Sequence, residues 1–283
     1  MKIILIGAGR VGSAIAFQLA LGGHEVAVVA RGARLETLQR DQAIVTVDGR
    51  RTPIVAMAGI ETKIAYDLAI VTVPEHQIDP LLPELVASSA RQVLLMFNTF
   101  EGVGRYRDRI GAARFAFGFP TMTAFLVDDR LRHRVTGPGL VCTLSDAALV
   151  ELFRAAGMPA EFEADMDAFL RSHVAMAVPL LAAGLLTWHR DTELSWSEAR
   201  RVAAAWAEGF GLVRALGHPL KPGIVAALAR LPGFLLTALA WGFGRSTDAK
   251  NVGEFGPVEV RWLIDAMARA ASKPLPHLQR IRP

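Results

Sequence analysis

Four short runs, residues 3–6, 26–29, 68–73 and 93–97, are apolar at nearly every consecutive position and rich in β-branched side chains. Strands apolar on both faces are covered on both faces, which is the condition of a parallel sheet between helices. Helix-periodic segments separate several of these runs. Between the second and third, residues 43–47 and 52–57 flank Asp48-Gly49, a dipeptide suited to a tight hairpin turn, so the pattern predicts an antiparallel insertion. Residues 113–118, 134–136 and 140–143 read as further strands. A helix over 145–156 follows, with Ser145 as N-cap and Gly157 at its end. After residue 165 the strand texture stops, and helical spacing predicts helices over 166–186, 195–216, 224–239 and 258–271, punctuated by Pro219, Pro222, Pro232 and Pro257.

The first apolar run passes straight into Gly7, Gly9 and Gly12, an amphipathic stretch, and a second strand over 25–30. This spacing suits a dinucleotide pyrophosphate. The first glycine permits the tight turn, the second lets the backbone approach the phosphates, and the third lets helix and strand pack closely, while the helix start offers free N–H groups. Arg10 and Val11 fill the remaining loop positions. The second strand ends on Arg31, with Arg34 three residues on, where an acid would favour NAD. A guanidinium there suits the 2′-phosphate of NADP(H). The expected class is therefore α/β: an N-terminal Rossmann-type parallel sheet domain over 1–165 that binds NADP, and an all-helical domain over 166–283 for substrate and dimerisation. A substrate is expected where the two meet.

Composition narrows the partners. The 283 residues include 52% hydrophobic positions, enough for two cores, and a net charge of +4 spread along the chain. Dispersed basic residues without interleaved aromatics argue against nucleic acid. The single cysteine, Cys142, excludes an internal disulfide and fits a reducing cytoplasm, where it reads as a buried small hydrophobe. Residues 231–243 are too short to span a membrane, so a buried helix or subunit contact is expected, with a homodimer as the assembly. His76 and His133 lack ligand spacing and no metal site is predicted; His189 reads as a solvated helix-end residue.

Taken together, the glycine loop with Arg31, the hairpin at Asp48-Gly49, the run DLAIVTVPEHQ at 67–77, LLMFNTFEG at 94–102 and VEVRWLID at 258–265 resemble the ketopantoate reductases in order and spacing. The resemblance implies reduction of a 2-keto acid by hydride from NADPH. It also implies cofactor contacts from Val73, Gln77 and Asn98, substrate contact from Glu259, and a carboxylate-binding serine near Ser246 and Thr247. The chain departs from the family's tryptophan, lysine and asparagine pattern at the start of the helical domain: Phe169, Arg171 and Ala175 stand there, and Pro74 replaces another lysine.

That departure matters because a ketone gains negative charge on oxygen as hydride arrives and needs a donor. Arg171 can stabilise the charge but hardly releases a proton, or it can pair with Asp167 four residues earlier. His173 can do both. Two helical residues are separated by about 200°, so Arg171 and His173 face different ways. Asn98 is placed to position substrate against nicotinamide. Phe119, Met122, Phe125, Met176 and Trp241 read either as a greasy pocket or as plain core. Three functions follow: a reductase acting on a carbonyl, a retired NADP-binding sensor, and an opine- or imine-type reductase.

Overall fold

The computed structural model describes residues 1–246, 249 and 256–283. The chain is α/β and forms two compact units, Met1–Phe97 with Val103–Met166, and Asn98–Gly102 with Asp167–Pro283. The sequence places a single boundary after residue 165, whereas the short segment carrying Asn98 leaves the first unit and belongs to the second.

Unit 1 is built on β1 (Lys2–Ile6), α1 (Arg10–Leu21), β2 (Glu25–Val29), α2 (Gly32–Asp41), β3 (Ala43–Val45), β4 (Arg51–Pro53), β5 (Val55–Met57), β6 (Leu68–Val71), α3 (Leu82–Ala87), β7 (Gln92–Met96), α4 (Gly104–Ile110), β8 (Phe115–Phe119), β9 (Thr123–Val127), β10 (Arg130–Arg134), β11 (Cys142–Leu144), α5 (Ala147–Ala155) and β12 (Ala160–Phe162). The main sheet runs β12-β11-β8-β7-β6-β1-β2-β5. It is parallel from β8 to β5, with Ile3 opposite both Val26 and Leu68; β11 pairs antiparallel to β8 and parallel to β12. Ile3, Leu5, Ile15, Phe17, Ile70 and Phe153 fill one core cluster, and the consecutive apolar positions of β1 and β6 are buried on both faces as their pattern requires.

Three expectations about unit 1 change, and the expected burial of Cys142 holds. The segment 52–57 is two strands: β4 pairs with β3 across Asp48-Gly49, then Ile54, buried, turns the chain so that β5 joins the main sheet beside β2. Residues 134–136 lie at the end of a hairpin, β9–β10, whose exposed turn carries Asp128 and Asp129 at positive φ. His133 is therefore in a strand, with its ring 5.0 Å from Phe17 and 3.1 Å from Gln18 Nε2. Ser145 is not the cap of α5: its Oγ accepts from Phe117 N, and Asp146 takes the cap by accepting from Ala148 N and Leu149 N. Cys142 is buried, and burial pushes its thiol up to about 11.

Unit 2 is helical: α6 (Met166–Arg190), α7 (Trp196–Ala215), α8 (Gly223–Leu228), α9 (Gly233–Phe243), α10 (Pro257–Ala270) and α11 (Pro276–Arg280). The single helix expected over 224–239 is two, because Pro232 cannot donate to the ladder and starts α9 instead. α7 begins with a capping box between Ser195 and Glu198. Phe100, Val174, Ala175, Val178, Trp206, Phe210, Leu263 and Met267 make its core. α6, unlike residues 231–243, is apolar and long enough to cross a membrane by length and composition, and 61% of that apolar window is buried in the protein. Met122 packs on the core of unit 1 and Met176 on that of unit 2, while Trp241 is partly exposed against Trp196.

Candidate active site

In unit 1 the turn from β1 into α1 has the geometry a dinucleotide needs. Gly7 sits at φ 109°, a left-handed conformation that L side chains rarely adopt. A Cβ on Gly12 would lie 1.9 Å from Gly7 O and 2.6 Å from Thr72 Oγ1, so only glycine lets α1 start this close to β1. Above Gly9 the space is open, with nothing within 4 Å of a Cβ built there. The first amides of α1, from Arg10 and Val11, precede the first helical bond, Ser13 N to Gly9 O at 2.8 Å. Thr72, which the sequence reading missed, donates to Gly7 O at 2.9 Å and locks the turn to the end of β6. The residues present thus fit a pyrophosphate.

The two arginines after β2 differ. Arg31 is exposed at the start of α2 and has no ion-pair partner among the described residues. Arg34 is turned inward: it donates to Ala8 O, Ser13 Oγ and Asp129 O, and so braces the glycine turn. Its burial lowers its pKa from the usual guanidinium value. Val73 is half-buried and its side chain and amide lie against Gly7, whereas Gln77 is exposed and touches His76 at 3.3 Å.

Between them stands an anchor that the sequence does not advertise. Glu75 opens the short 3-10 turn Glu75–Gln77 and is 3% exposed. Tyr106 Oη donates to its carboxylate at 2.9 Å, and Arg105, which also contacts Tyr106 Oη, approaches it at 3.4 Å. Burial and the Glu75 charge raise the Tyr106 phenol pKa, so it remains a donor. This group pins the turn that carries Gln77.

In unit 2 the structure brings Asn98 and Glu259 together. Asn98 follows β7, Glu259 lies in the first turn of α10, and Asn98 Nδ2 donates to Glu259 Oε1 at 2.8 Å. Asn98 Oδ1 is buried without a hydrogen-bond partner. Arg171 is engaged elsewhere: it donates to Glu101 O at 3.1 Å and lies 3.5 Å from Asp167, while Arg269 holds the Glu101 carboxylate at 2.8 Å. Ser172, fully buried between Arg171 and His173, donates to Ala168 O within α6 and accepts from Lys221 N outside it, so this face of the helix points inward. His173 thereby falls on the other side from Arg171, stacked at 6.3 Å on Phe169, and burial lowers its pKa to about 4 although part of its surface stays accessible. Ala175 is buried against Gly209. Ser246 donates to Phe243 O as a helix-end bond, and Thr247 lies outside the described residues. Among the described residues no three His, Cys, Asp or Glu side chains gather as a metal site.

The sequence of residues 3–142 matches the family profile described as Ketopantoate reductase PanE/ApbA. No curated protein matches the chain. Among solved structures, a PanE/ApbA family ketopantoate reductase from Ralstonia eutropha JMP134 superposes with a TM-score of 0.77 at 19% identity, covering 100% of this chain and 96% of that one. D-mandelate dehydrogenase, solved with NADH and anilino(oxo)acetate, gives 0.76 at 15% identity over 100% and 96%. A dimeric ketopantoate reductase from Staphylococcus aureus gives 0.67 at 15% over the same shares. The glycine turn and the parallel strands from β1 to β8 thus lie within residues 3–142, the part of the chain that matches the ketopantoate reductase PanE/ApbA family, and the solved structures share the fold of the chain.

Proposed function

We propose that the protein is an NADPH-dependent reductase that transfers hydride to the carbonyl carbon of a 2-keto acid or a related compound, working as a homodimer. The observation that carries the catalytic reading is the Asn98–Glu259 pair, a fixed amide whose carbonyl oxygen is buried and unpartnered beside a carboxylate. Buried polar atoms are normally paired, and one held open at a family substrate position awaits a ligand. Gly7, Gly9, Arg10, Val11, Gly12, Arg31, Val73 and Gln77 would hold the dinucleotide. When bound, it supplies the hydride.

Arg31 selects the phosphorylated coenzyme, since its guanidinium is exposed and uncommitted. Arg31→Ala is expected to weaken NADPH by about tenfold or more and leave NADH unchanged, because one charge-assisted contact contributes roughly 1.5–3 kcal/mol. Calorimetry with both coenzymes measures this, and equal losses for the two would remove Arg31 from the choice.

Asn98 orients the substrate, Glu259 holds the Asn98 amide, and His173 donates the proton to the developing alkoxide. With its pKa near 4, His173 is neutral at pH 7, so only a small protonated fraction is acid-competent. Turnover is therefore expected to rise by about tenfold per pH unit as pH falls from 8 to 5. Stability moves oppositely: the folded pKa lies below the ordinary 6.5, so the stabilising neutral form is complete above that value and is lost as pH falls toward 4. His173→Phe should flatten both profiles and cut turnover by about 10²-fold at pH 6. A flat wild-type rate profile would exclude this donor.

A second reading, a sensor that binds NADPH without turnover, is favoured by one observation: Arg171, at the family's lysine position, is committed to Asp167 and Glu101. NADPH consumption assayed with 2-keto acids, alone and with amines, separates the two. Binding without consumption supports the sensor, and consumption only with amines supports an opine- or imine-type reductase.

A further inference from the structure

Unit 2 holds a half-open groove of about 670 Å³ between α7 and α9, lined by none of the residues assigned to the reductase site. Its walls are Trp196, Ala203, Ala207, Phe210, Leu231 and Phe234, and among the described residues its charged lining is Arg200 and Arg214. Among the described residues neither arginine has an ion-pair partner and no carboxylate lines the groove. Phe234 and Trp196 stand 67% and 48% exposed, so the apolar walls face water. A cavity of this size with apolar walls and a few fixed charges has the character of a small-molecule site.

The layout limits the occupant. Arg200 and Arg214 are separated by 14 helical residues, about 21 Å along α7. The space between them is small and apolar, with Ala203, Ala204 and Ala207 on the floor. Trp196 meets Trp241 edge-on at 6.0 Å, so the start of α7 lies by the end of α9, and Arg214 lies toward the start of α9, where Gly233 and Phe234 line the groove. The N-terminal end of α9 adds its positive dipole there.

A second copy of the chain is a poor match. Residues 196–246 hold six Lys or Arg and two Glu. Glu198 is bonded to Arg190 and Ser195, and Glu208 caps α11 by accepting from His277 N and Leu278 N. Among the described residues, the same face of a partner therefore has no free carboxylate to offer the two arginines, and a twofold contact would set like charges together.

We infer that the groove binds an anionic amphiphile, an unbranched alkyl carboxylate, with its head group on Arg214 and its chain laid along α7 toward Trp196. The site is separate from the proposed reductase residues, so its test is independent of that reading.

Titration with sodium dodecanoate below its micelle concentration, read by tryptophan fluorescence, is expected to saturate in the micromolar range. Octanoate should bind more weakly by roughly fourfold for each methylene removed. Arg214→Gln should weaken dodecanoate at least tenfold and leave 1-dodecanol unaffected. Ala207→Trp should remove binding with the melting temperature unchanged, and Ala204→Leu serves if that variant does not fold. Absence of saturation, or equal affinity of wild type and Arg214→Gln for dodecanoate, overturns the inference. So does a sedimentation result in which Ala207→Trp dissociates a dimer that dodecanoate does not disturb, since a second copy would then occupy the groove.

Discussion

Gly12→Ala is expected to abolish measurable NADPH binding and to destabilise the fold by about 3 kcal/mol, the upper range for an overpacked site. The added methyl would lie 1.9 Å from a backbone oxygen, Gly7 O, and 2.9 Å from Leu5 Cδ2, and neither can yield without moving β1 or α1. Separation of the two carries the first-turn amides away from the phosphate position. Gly9→Ala is the matched control. Its methyl meets nothing within 4 Å in the free protein, so the melting temperature should hold while NADPH affinity falls by about 100-fold or more, because the methyl occupies the path of the pyrophosphate. Calorimetry and thermal unfolding on both variants separate the effects. Normal NADPH binding by Gly9→Ala would place the phosphates elsewhere.

Asn98→Ala should lower kcat/KM for the best 2-keto acid by about 10²-fold, the usual cost of losing a group that holds the substrate in a reactive position. The loss should fall on kcat more than on KM if the amide acts chiefly on the transition state. Glu259→Gln should cost less, since an amide can still accept from Asn98 Nδ2 across the 2.8 Å contact. The double variant should be no worse than Asn98→Ala alone, because residues in one hydrogen-bonded unit are not additive. Additive losses would mean that Glu259 acts on substrate independently of Asn98. An unchanged kcat in Asn98→Ala would withdraw it from the chemistry.

Particular elements show how far local pattern reaches. The strands β1, β2, β6 and β7 were legible because burial on both faces leaves a continuous apolar run, and α1 because Gly7 and Gly9 precede it and Gly12 lies in its first turn. Neighbouring features misled where two residues compete for one role. Ser145 and Asp146 are both good caps, and the choice fell to Asp146 because Phe117 N, 28 residues away, takes the serine. Residues 52–57 read as one strand, yet burying Ile54 splits them between two sheets. β12 and α11 were missed for brevity, three and five residues, too short to show a period.

The candidate site divides along the same line. Gly7, Gly12 and Arg31 are marked by spacing, and Asn98 by the resemblance to the ketopantoate reductases. Glu75 is a charged residue within a polar stretch, and only the fold supplies Tyr106 and Arg105 to make it a buried anchor. Arg171 and His173 are two positions apart in one helix, and sequence could say only that they diverge. In the fold Ser172 faces Lys221, while Arg171 is committed to Asp167 and Glu101 and His173 lies neutral on Phe169.

The sequence by itself determined the order of strands and helices, the glycine turn and the change from sheet to helix, because these depend on backbone sterics and on a hydrophobic period carried by near neighbours. Tertiary structure decided which sheet β5 joins, that Asn98–Gly102 belongs with the helices, that Asn98 meets Glu259 across 161 residues, and what charge His173 carries. Those outcomes depend on partners distant in the chain and on burial, and neither is written in any local window.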